Sequence, residues 1–393
     1  MLNGIHSFSY KMFIYILFLI CIHKIRTKPI FGILSLPEPI DDNITFVNES
    51  IDGAYINWLE SAGATVVPLH IWYSEQELKN ILDQINGVLF QIWIIKIKAK
   101  PIFGILSLPE PIDDNTTFLN ESIDGAYINW LESAGATVLP LHIWYTQQEL
   151  KEILDQINGV LLQGSFRLLN FSAKWEINAR YIFNYTKENH LPIFGICFGF
   201  RILNIFMAKN DSCMIRMRNH GNRKIELIEN ITRKSSLFSL FKEKDFESME
   251  KNETTVFIHR FGITPEMFYN EKNLVDNLSL TSFGYDLDNV KFIDSIENDN
   301  LHIYGTQFHP EKTPFLRMKK YKRNHENDSL RRSQLLAMKV VDYARNYCPK
   351  RRIVDFEKFK KKYHVISSFH ENNFKYIYNK ELNLFYFSKE FYD

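Results

Sequence analysis

An alternation of apolar, strand-like runs with amphipathic, helix-like runs constrains this chain more than any other feature. The pattern predicts strands over residues 101–107, 137–142 and 159–162, with helices over residues 121–134 and 147–156 between them. Gly135 follows the first helix as its stop signal. Strands that alternate with helices in this way form a parallel sheet with right-handed crossovers. We therefore predict an α/β fold.

The same pattern occurs twice. Residues 28–91 and 100–163 are identical at 57 of 64 aligned positions, at a constant offset of 72. Only the second copy continues into a predicted helix over residues 173–187 and a buried strand over residues 192–197. We therefore assign the second copy to the main sheet. The first copy packs beside that sheet, competes for one position in it, or reflects an error in the assembled coding sequence.

The N-terminal segment predicts entry into the secretory pathway. Eleven apolar residues run from Met12 to Ile22 between Lys11 and the basic residues Lys24 and Arg26. This length fits the core of a signal peptide and is shorter than the roughly 20 residues of a membrane-spanning helix. We predict a signal peptide over residues 1–27; an uncleaved anchor or a buried segment is the alternative.

Acceptor triplets for N-glycosylation support the same route. They begin at Asn43, Asn48, Asn115, Asn120, Asn170, Asn184, Asn210, Asn230, Asn252, Asn277 and Asn327. With the signal, they predict a glycoprotein that is secreted or resides in a lysosome or vacuole. No membrane association is expected after the signal is removed.

The four cysteines do not form a disulfide scaffold. Cys21 lies in the predicted signal, so Cys197, Cys213 and Cys348 remain. An odd number leaves at least one thiol unpaired within the chain, and such a thiol is available as a nucleophile. The net charge of +1 gives no reason to expect a nucleic-acid partner.

One cysteine stands in a setting typical of a catalytic nucleophile. Gly195 and Gly199 flank Cys197 at two residues on either side, after an apolar strand and before an apolar helical run. This is the context of a nucleophile elbow, where a tight turn needs small neighbours. The N-terminus of the following helix favours the thiolate. The alternative is a buried structural cysteine.

A histidine at the end of a later strand supplies the base. His309 follows an apolar run, and Glu311 stands two residues further on. Imidazole can take the proton of a thiol and later return it to a leaving amine, and a carboxylate can orient the ring. The pattern therefore predicts a Cys197–His309–Glu311 triad.

These motifs resemble the class I glutamine amidotransferase-like superfamily and, within it, the folate γ-glutamyl hydrolase family. The resemblance rests on PIFGILS at Pro101, YINWLESAGATVLPL at Tyr127, INGVLLQG at Ile157, PIFGICFGF at Pro192 and YGTQFHPEK at Tyr304. It implies a flavodoxin-like three-layer sandwich with a mainly parallel central sheet. The domain plan is then a signal over residues 1–27, a partial duplicate over 28–99, a catalytic domain over 100–349 and a basic, then aromatic tail over 350–393.

The resemblance also implies roles for residues around the triad. The backbone amides of Gly164 and Phe198 would form an oxyanion hole, and His259, Arg201 and Ser165 would contact the substrate. Two positions depart from the family. The run Gln163-Gly164-Ser165 has one glycine where the family often has two. Arg201 stands where the family commonly has Glu or Gln, and this inverted charge either favours an anionic γ-glutamyl tail or removes a family contact.

The function implied is cysteine-dependent hydrolysis of γ-glutamyl bonds, above all of folylpoly-γ-glutamates, through a thioester. The partner is a small-molecule substrate; no metal or cofactor is expected, and assembly into a homodimer is left open. One alternative is a glutaminase that passes ammonia to a synthetase. Another is a pseudoenzyme that binds γ-glutamyl ligands without turnover.

Overall fold

The computed structural model describes residues 28–39, 46–51, 53–70, 73–89, 100–109, 120–165, 173–210, 212–315, 326–347, 353, 356–363, 377–379 and 384–388. The chain forms two compact units. The first comprises Met1–Ile51 and Ala64–Gln91, and the second comprises Asp52–Gly63 and Ile92–Asp393. The segment Asp52–Gly63 of the first copy therefore groups with the second unit, as does the C-terminal tail.

The strands of the described chain are β1 (Ile30–Leu34), β2 (Leu36–Pro39), β3 (Phe46–Ser50), β4 (Thr65–Leu69), β5 (Gly87–Leu89), β6 (Ile102–Leu106), β7 (Leu108–Pro109), β8 (Asn120–Asp124), β9 (Thr137–Leu141), β10 (Gly159–Leu162), β11 (Ile193–Ile196), β12 (Ile215–Arg223), β13 (Glu226–Leu227), β14 (Thr255–Gly262), β15 (Ser279–Tyr285), β16 (Lys291–Asn298), β17 (Ile303–Thr306), β18 (Ile377–Asn379) and β19 (Leu384–Ser388). The helices are α1 (Gly53–Ser61), α2 (Glu75–Leu82), α3 (Gly125–Ser133), α4 (Gln147–Leu154), α5 (Ala173–Asn189), α6 (Phe198–Ala208), α7 (Glu243–Lys251), α8 (Pro265–Asn270), α9 (Lys272–Val275), α10 (Lys312–Phe315), α11 (Asn327–Asn346) and α12 (Phe356–Tyr363).

An eight-stranded sheet forms the centre of the second unit, in the order β13-β15-β16-β17-β11-β10-β6-β9. Strands β9, β6, β10, β11 and β17 pair in parallel, whereas β16, β15 and β13 continue the sheet with antiparallel pairing. The predicted α/β fold with a mainly parallel sheet is confirmed.

Helices cover both faces of this sheet. Along β10, Val160 and Leu162 belong to one core cluster and Leu161 to the other, as expected for side chains that alternate between faces. The first cluster includes apolar residues of α4, α5 and α6, and the second includes those of α3 and α11. The result is the predicted three-layer sandwich.

Parallel pairing brings the carboxyl ends of three central strands to one edge. Gly195 on β11 is in register with Leu162 on β10 and with Gly305 on β17. The residues that follow these strands therefore meet at the same place, which is where ligands bind in open α/β sheets. Those residues include Gly164, Cys197 and His309.

The first sequence copy forms a sheet of its own. Strand β1 lies between β4 and β5, and all three are parallel. The pairing of Ile30 with Thr65 repeats that of Ile102 with Thr137 in the second copy. Of the arrangements left open by the sequence, competition for a position in the eight-stranded sheet is not the one observed.

The predicted start of the helix at residue 121 is wrong. Residues Asn120–Asp124 form β8, and α3 begins at Gly125 after the N-cap residue Asp124, whose carboxylate accepts from the backbone amide of Ala126 at 2.9 Å. Strand β8 pairs antiparallel with β19 from the C-terminal tail. Ile123 lies four residues before Tyr127, which is the spacing of one helix face, so the apolar pattern predicted a helix there. That pattern cannot show that a strand more than 250 residues further along the chain, β19, pairs with this segment.

Several predictions fall outside the described residues. These are the signal peptide over residues 1–27, Cys21, Cys348, and the acceptors Asn43, Asn115 and Asn170. In the described part of the chain, no helix combines the length and apolarity needed to cross a membrane. The acceptors Asn184, Asn230, Asn252 and Asn327 are exposed.

Candidate active site

Cys197 stands on a sharp turn between β11 and α6. Its backbone has φ 54° and ψ −99°, a strained conformation for a residue with a side chain, and the side chain is buried. A Cβ atom on Gly199 would lie 2.0 Å from the carbonyl oxygen of Leu162, and one on Gly195 would lie 2.7 Å from the backbone of Gly199. Both glycines are therefore required, because backbone meets backbone at the elbow.

Contacts from neighbouring strands hold the thiol in place. The backbone amide of Cys197 donates to the carbonyl oxygen of Thr306 at 2.8 Å. Its Sγ atom lies 3.5 Å from the carbonyl oxygen of Ile258 on β14. The nucleophile is thus positioned by β14 and β17, two strands that are distant from it in sequence.

His309 and Glu311 form a buried pair beside this elbow. The Nδ1–H group of His309 donates to Oε1 of Glu311 at 2.7 Å, an assignment that follows because a carboxylate only accepts. The backbone amide of His309 donates to the carbonyl oxygen of Val256 at 2.8 Å. Its Nε2 atom is buried, and the thiol of Cys197 is the side chain of the described residues with which it interacts. That nitrogen is available to exchange a proton with the thiol.

The electrostatics favour a thiolate–imidazolium pair. Burial would raise the pKa of Cys197, but the positive charges of His309 and Arg201 outweigh burial and lower that pKa. Burial would lower the pKa of His309, but Glu311 and Cys197 raise it to about 10. Despite burial, His309 and Lys312 lower the pKa of Glu311, which keeps it ionised.

Gly164, predicted as an oxyanion donor, lies at the centre of the site. A Cβ atom on it would be 2.9 Å from Cε1 of His309 and 3.3 Å from Cβ of Cys197. Its amide donates to the hydroxyl of Tyr127 at 2.8 Å, and that hydroxyl is 3.5 Å from Nδ1 of His309. Phe198, the other predicted donor, is the first residue of α6. The role of these two amides in an oxyanion hole stays a prediction.

Gln163, which departs from the family pattern, anchors the loop that carries Gly164. Its Nε2 group donates to the carbonyl oxygens of Leu106 and Ser122, both at 3.1 Å. Its Oε1 atom accepts from the backbone amide of Asp124 at 3.1 Å. A buried side chain with these three bonds restrains a loop that a second glycine would leave more mobile.

Sequence reasoning missed a second charged pair beside the triad. Lys312 forms an ion pair with Asp124, the N-cap of α3, and its Nζ atom is 3.9 Å from Oε1 of Glu311. Lys312 is buried although its side chain is charged. Its position directly after Glu311 in the sequence HPEK was the one feature that could have identified Lys312 as part of the site. The pair links the start of α3, which also carries Tyr127, to the triad carboxylate.

His259, a predicted substrate contact, is held in its neutral form by protein groups. Its Nδ1–H group donates to the carbonyl oxygen of Phe261 at 3.0 Å, so Nε2 must accept, and it lies 3.0 Å from Nδ2 of Asn219. Burial lowers the pKa of His259 to about 3. The ring therefore fastens β12 to β14, and its contact with substrate stays a prediction.

The two other predicted substrate residues differ in exposure. Ser165 is half-buried at the end of the described loop. Arg201 is buried on the first turn of α6, and burial lowers its pKa. Its guanidinium carbon lies 5.0 Å from the ring centroid of Phe198 and 5.4 Å from that of Phe261. Their roles in binding stay predictions.

This arrangement can carry out nucleophilic attack on an acyl group. A buried thiolate, an imidazolium that can give up its proton and a carboxylate that orients the ring are the parts of a cysteine hydrolase. Backbone amides at a helix N-terminus lie beside the sulfur and suit a developing negative charge.

Comparisons with known proteins point the same way. The family described as "Glutamine amidotransferase class-I" matches residues 120–326, a range that includes Cys197, His309 and Glu311. "Gamma-glutamyl hydrolase 2" of Arabidopsis thaliana is 26% identical over 258 residues, which is 63% of this chain and 73% of the relative. "Gamma-glutamyl hydrolase B" of Dictyostelium discoideum is 26% identical over 255 residues, 63% of this chain and 73% of the relative. "Gamma-glutamyl hydrolase" of Mus musculus is 27% identical over 254 residues, 63% of this chain and 78% of the relative.

Proposed function

The chain belongs to the glutamine amidotransferase class-I family, and from this premise we propose that it hydrolyses γ-glutamyl bonds with Cys197 as the nucleophile. The observation that carries the proposal is the position of Cys197 on a strained elbow beside the buried His309–Glu311 pair. The names of the relatives, all γ-glutamyl hydrolases, support the choice of bond.

Acylation begins when the Cys197 thiolate attacks the γ-carbonyl carbon of the substrate. The carbonyl π bond opens, and its electron pair becomes an oxyanion facing the start of α6. The Nε2–H group of His309 gives its proton to the amine nitrogen as the C–N bond breaks. The amine leaves, and a thioester joins the γ-glutamyl group to Cys197.

Hydrolysis of the thioester returns the enzyme to its starting state. Water attacks the thioester carbonyl while Nε2 of His309, now neutral, takes a proton from it. The C–S bond breaks, which releases the γ-carboxylic acid and restores the thiolate. Glu311 keeps the ring oriented through both steps by accepting from Nδ1. Nucleophile, base and orienting group are all side chains of this chain.

We propose folylpoly-γ-glutamates as the substrate class. Their repeated γ-linked glutamates contain the bond that the relatives' names specify. A negatively charged substrate tail also matches a site that contains the buried cation Arg201. Analysis of the released glutamate and γ-glutamyl peptides would measure the preferred number of glutamates and would distinguish cleavage of internal bonds from cleavage of terminal bonds.

We also propose that the protein works in the secretory pathway, in a lysosome or vacuole, or outside the cell. The apolar run from Met12 to Ile22 and the acceptor triplets support this. Exposed acceptors include Asn184, Asn230 and Asn252. Removal of N-glycans should lower the apparent mass of the native protein; an unchanged mass together with a cytosolic location would contradict the proposal.

A glutaminase activity is the second candidate, because the matching family is described as a glutamine amidotransferase. The side chain of free glutamine is itself a γ-glutamyl amide, so the same triad chemistry applies. Ammonia release from free glutamine that exceeds glutamate release from a polyglutamyl folate would favour this candidate.

The deciding experiment is the assay of purified protein on a γ-linked polyglutamyl folate from acidic to neutral pH, beside Cys197→Ala. Release of glutamate or γ-glutamyl peptides by the wild type only would establish the reaction and its nucleophile. A folded wild type that is labelled at Cys197 by an electrophilic glutamine analogue but releases no product would instead indicate a binding protein.

A further inference from the structure

Arg201 is a buried cation whose donors are incompletely used. Its side chain is 2% exposed, and its Nε and Nη1 atoms have no hydrogen-bond partner among the described residues. Within the same part of the chain, no carboxylate forms an ion pair with it. The charge of the Cys197 thiolate favours this guanidinium, but it leaves Nε and Nη1 without acceptors. Buried donors without acceptors are costly unless a ligand supplies them. The side chain therefore points to an anionic group on the substrate.

The position of Arg201 places this cation next to the nucleophile. It stands four residues after Cys197, and its amide donates to the carbonyl oxygen of Cys197 at 3.1 Å. One helical turn is about 5.4 Å, and side chains on a helix lean toward its N-terminus, here toward Cys197. Contact with the rings of Phe198 and Phe261 restricts the plane of the guanidinium.

Strand β14, which carries Phe261, and its partner strand β12 contribute neutral polar groups near Arg201. His259 and Phe261 lie two residues apart on β14 and so project from the same face. Because His259 accepts at Nε2, Asn219 must present its amide NH₂ group to it. The Oδ1 atom of Asn219 is buried and has no partner among the described residues. The site thus combines one cation, Arg201, with one neutral acceptor, Oδ1 of Asn219, that has no partner among the described residues.

On the basis of the proposed function, we infer that Arg201 binds the α-carboxylate of the γ-glutamyl donor and selects donors whose α-nitrogen is an amide rather than a free ammonium. The γ-carbonyl carbon and the α-carboxylate carbon are joined by four C–C bonds, about 5 Å when extended. That span matches the one turn that separates Cys197 from Arg201. A free ammonium on the same carbon would be repelled by the guanidinium, whereas an amide N–H is uncharged and suits the acceptor of Asn219.

The test uses three chromogenic substrates: N-acetyl-γ-glutamyl-p-nitroanilide, its α-methyl ester, and γ-glutamyl-p-nitroanilide with a free amine. In the wild type, kcat/KM for the acid should exceed that for the ester about 100-fold, as expected for a buried charged contact. It should exceed that for the free amine about tenfold. In Arg201→Gln, which introduces a residue common at this position in the family, both ratios should fall toward one.

Two further variants complete the design. Arg201→Lys keeps a charge without the planar guanidinium and should retain part of the preference. Arg180→Gln removes another arginine that lies over a phenylalanine ring, 4.4 Å from the centroid of Phe206, and should leave the ratios as in the wild type. Equal slowing of all three substrates by Arg201→Gln would overturn the inference, because Arg201 would then act only on the thiolate.

Binding measurements separate this inference from the proposed function. If the wild type cleaves none of the three substrates, the proposed function fails, and calorimetry with Cys197→Ala still tests Arg201. N-acetylglutamine should bind more tightly than its α-methyl ester, and Arg201→Gln in the same background should abolish the difference. Equal affinities, or no binding of either, would overturn the inference. Circular dichroism of each variant verifies that it is folded.

Discussion

Glu311 accepts a hydrogen bond from Nδ1 of His309 at 2.7 Å, and both side chains are buried beside Cys197. This bond determines which ring nitrogen carries the proton and therefore which nitrogen faces the sulfur. Because Glu311 is ionised, it also stabilises the imidazolium that a thiolate requires. The pair is accordingly the first target for mutation.

Replacing Glu311 with Gln should lower kcat on the order of 1,000-fold, with a smaller change in KM. The neutral amide can donate to Nδ1, which favours the wrong tautomer, and it no longer stabilises the imidazolium. Steady-state kinetics on a γ-glutamyl substrate would measure the loss. Glu266→Gln, at an exposed position on α8, is the matched control. A loss in Glu311→Gln no larger than in this control would remove Glu311 from the triad.

The rate of alkylation of Cys197 by iodoacetamide should be high at a pH where ordinary thiols are protonated. The pKa of Cys197 is lowered and that of His309 is raised to about 10, so the ion pair exists between these two values.

Acylation should fall as pH drops through the pKa of Cys197, since the thiolate is lost. It should also fall as pH rises through about 10, since His309 can no longer protonate the leaving amine.

In His309→Ala, the alkylation profile should move up toward the ordinary thiol pKa of about 8.5. Cys213 is a second buried cysteine, and the comparison is therefore made in a Cys213→Ala background with mass spectrometry of the labelled site. Identical profiles with and without His309 would show that no ion pair forms.

Gly164→Ala should abolish activity with little loss of stability. Its Cβ atom would lie 2.5 Å from the hydroxyl oxygen of Tyr127 and 2.9 Å from Cε1 of His309, so it would displace the catalytic ring. Adding Tyr127→Phe removes the hydroxyl and the closest clash, and the double variant should recover part of kcat. Full activity in Gly164→Ala would mean that the loop moves away from His309 in solution.

The ion pair of Lys312 and Asp124, which is mostly shielded from solvent, should contribute to stability as a unit. Lys312→Met and Asp124→Asn should each lower the free energy of unfolding by about 2–3 kcal/mol, since each leaves a poorly solvated charge. Asn is a good N-cap residue, so Asp124→Asn preserves the start of α3 and reports mainly on the charge. Urea denaturation of both single variants and the double variant would measure the coupling. Strictly additive losses would show that the two charges do not interact.

The chemical identity of the site was predictable because its motifs are local. Gly195, Cys197 and Gly199 mark an elbow within five residues, and His309 and Glu311 lie within three. The elbow needs two glycines because its backbone contacts are close, so the requirement is visible in the sequence itself. The alternation of strands and helices after Pro101 likewise predicted the parallel sheet, because each apolar period depends only on nearby residues.

The hydrogen-bond partners of site residues that lie in distant parts of the chain could be identified only from the tertiary structure. In the sequence, Tyr127 was only the first residue of one of the motifs that carry the family resemblance, yet its hydroxyl lies between Gly164 and His309. Gln163 was recognised as a departure from the family, but the three backbone groups that bind it could not be inferred.

The amino-acid sequence by itself determined the α/β class, the elbow at Cys197 and the His309–Glu311 pair, because each follows from spacing over a few residues. Only the tertiary structure decided that α3 begins at Gly125, where a strand from the C-terminal tail pairs with β8. It alone showed that the first copy forms its own sheet and that Arg201 is buried with two donor atoms, Nε and Nη1, that have no hydrogen-bond partner among the described residues. These features depend on contacts between segments far apart in the chain, and burial and pairing of that kind leave no periodic trace in the local sequence.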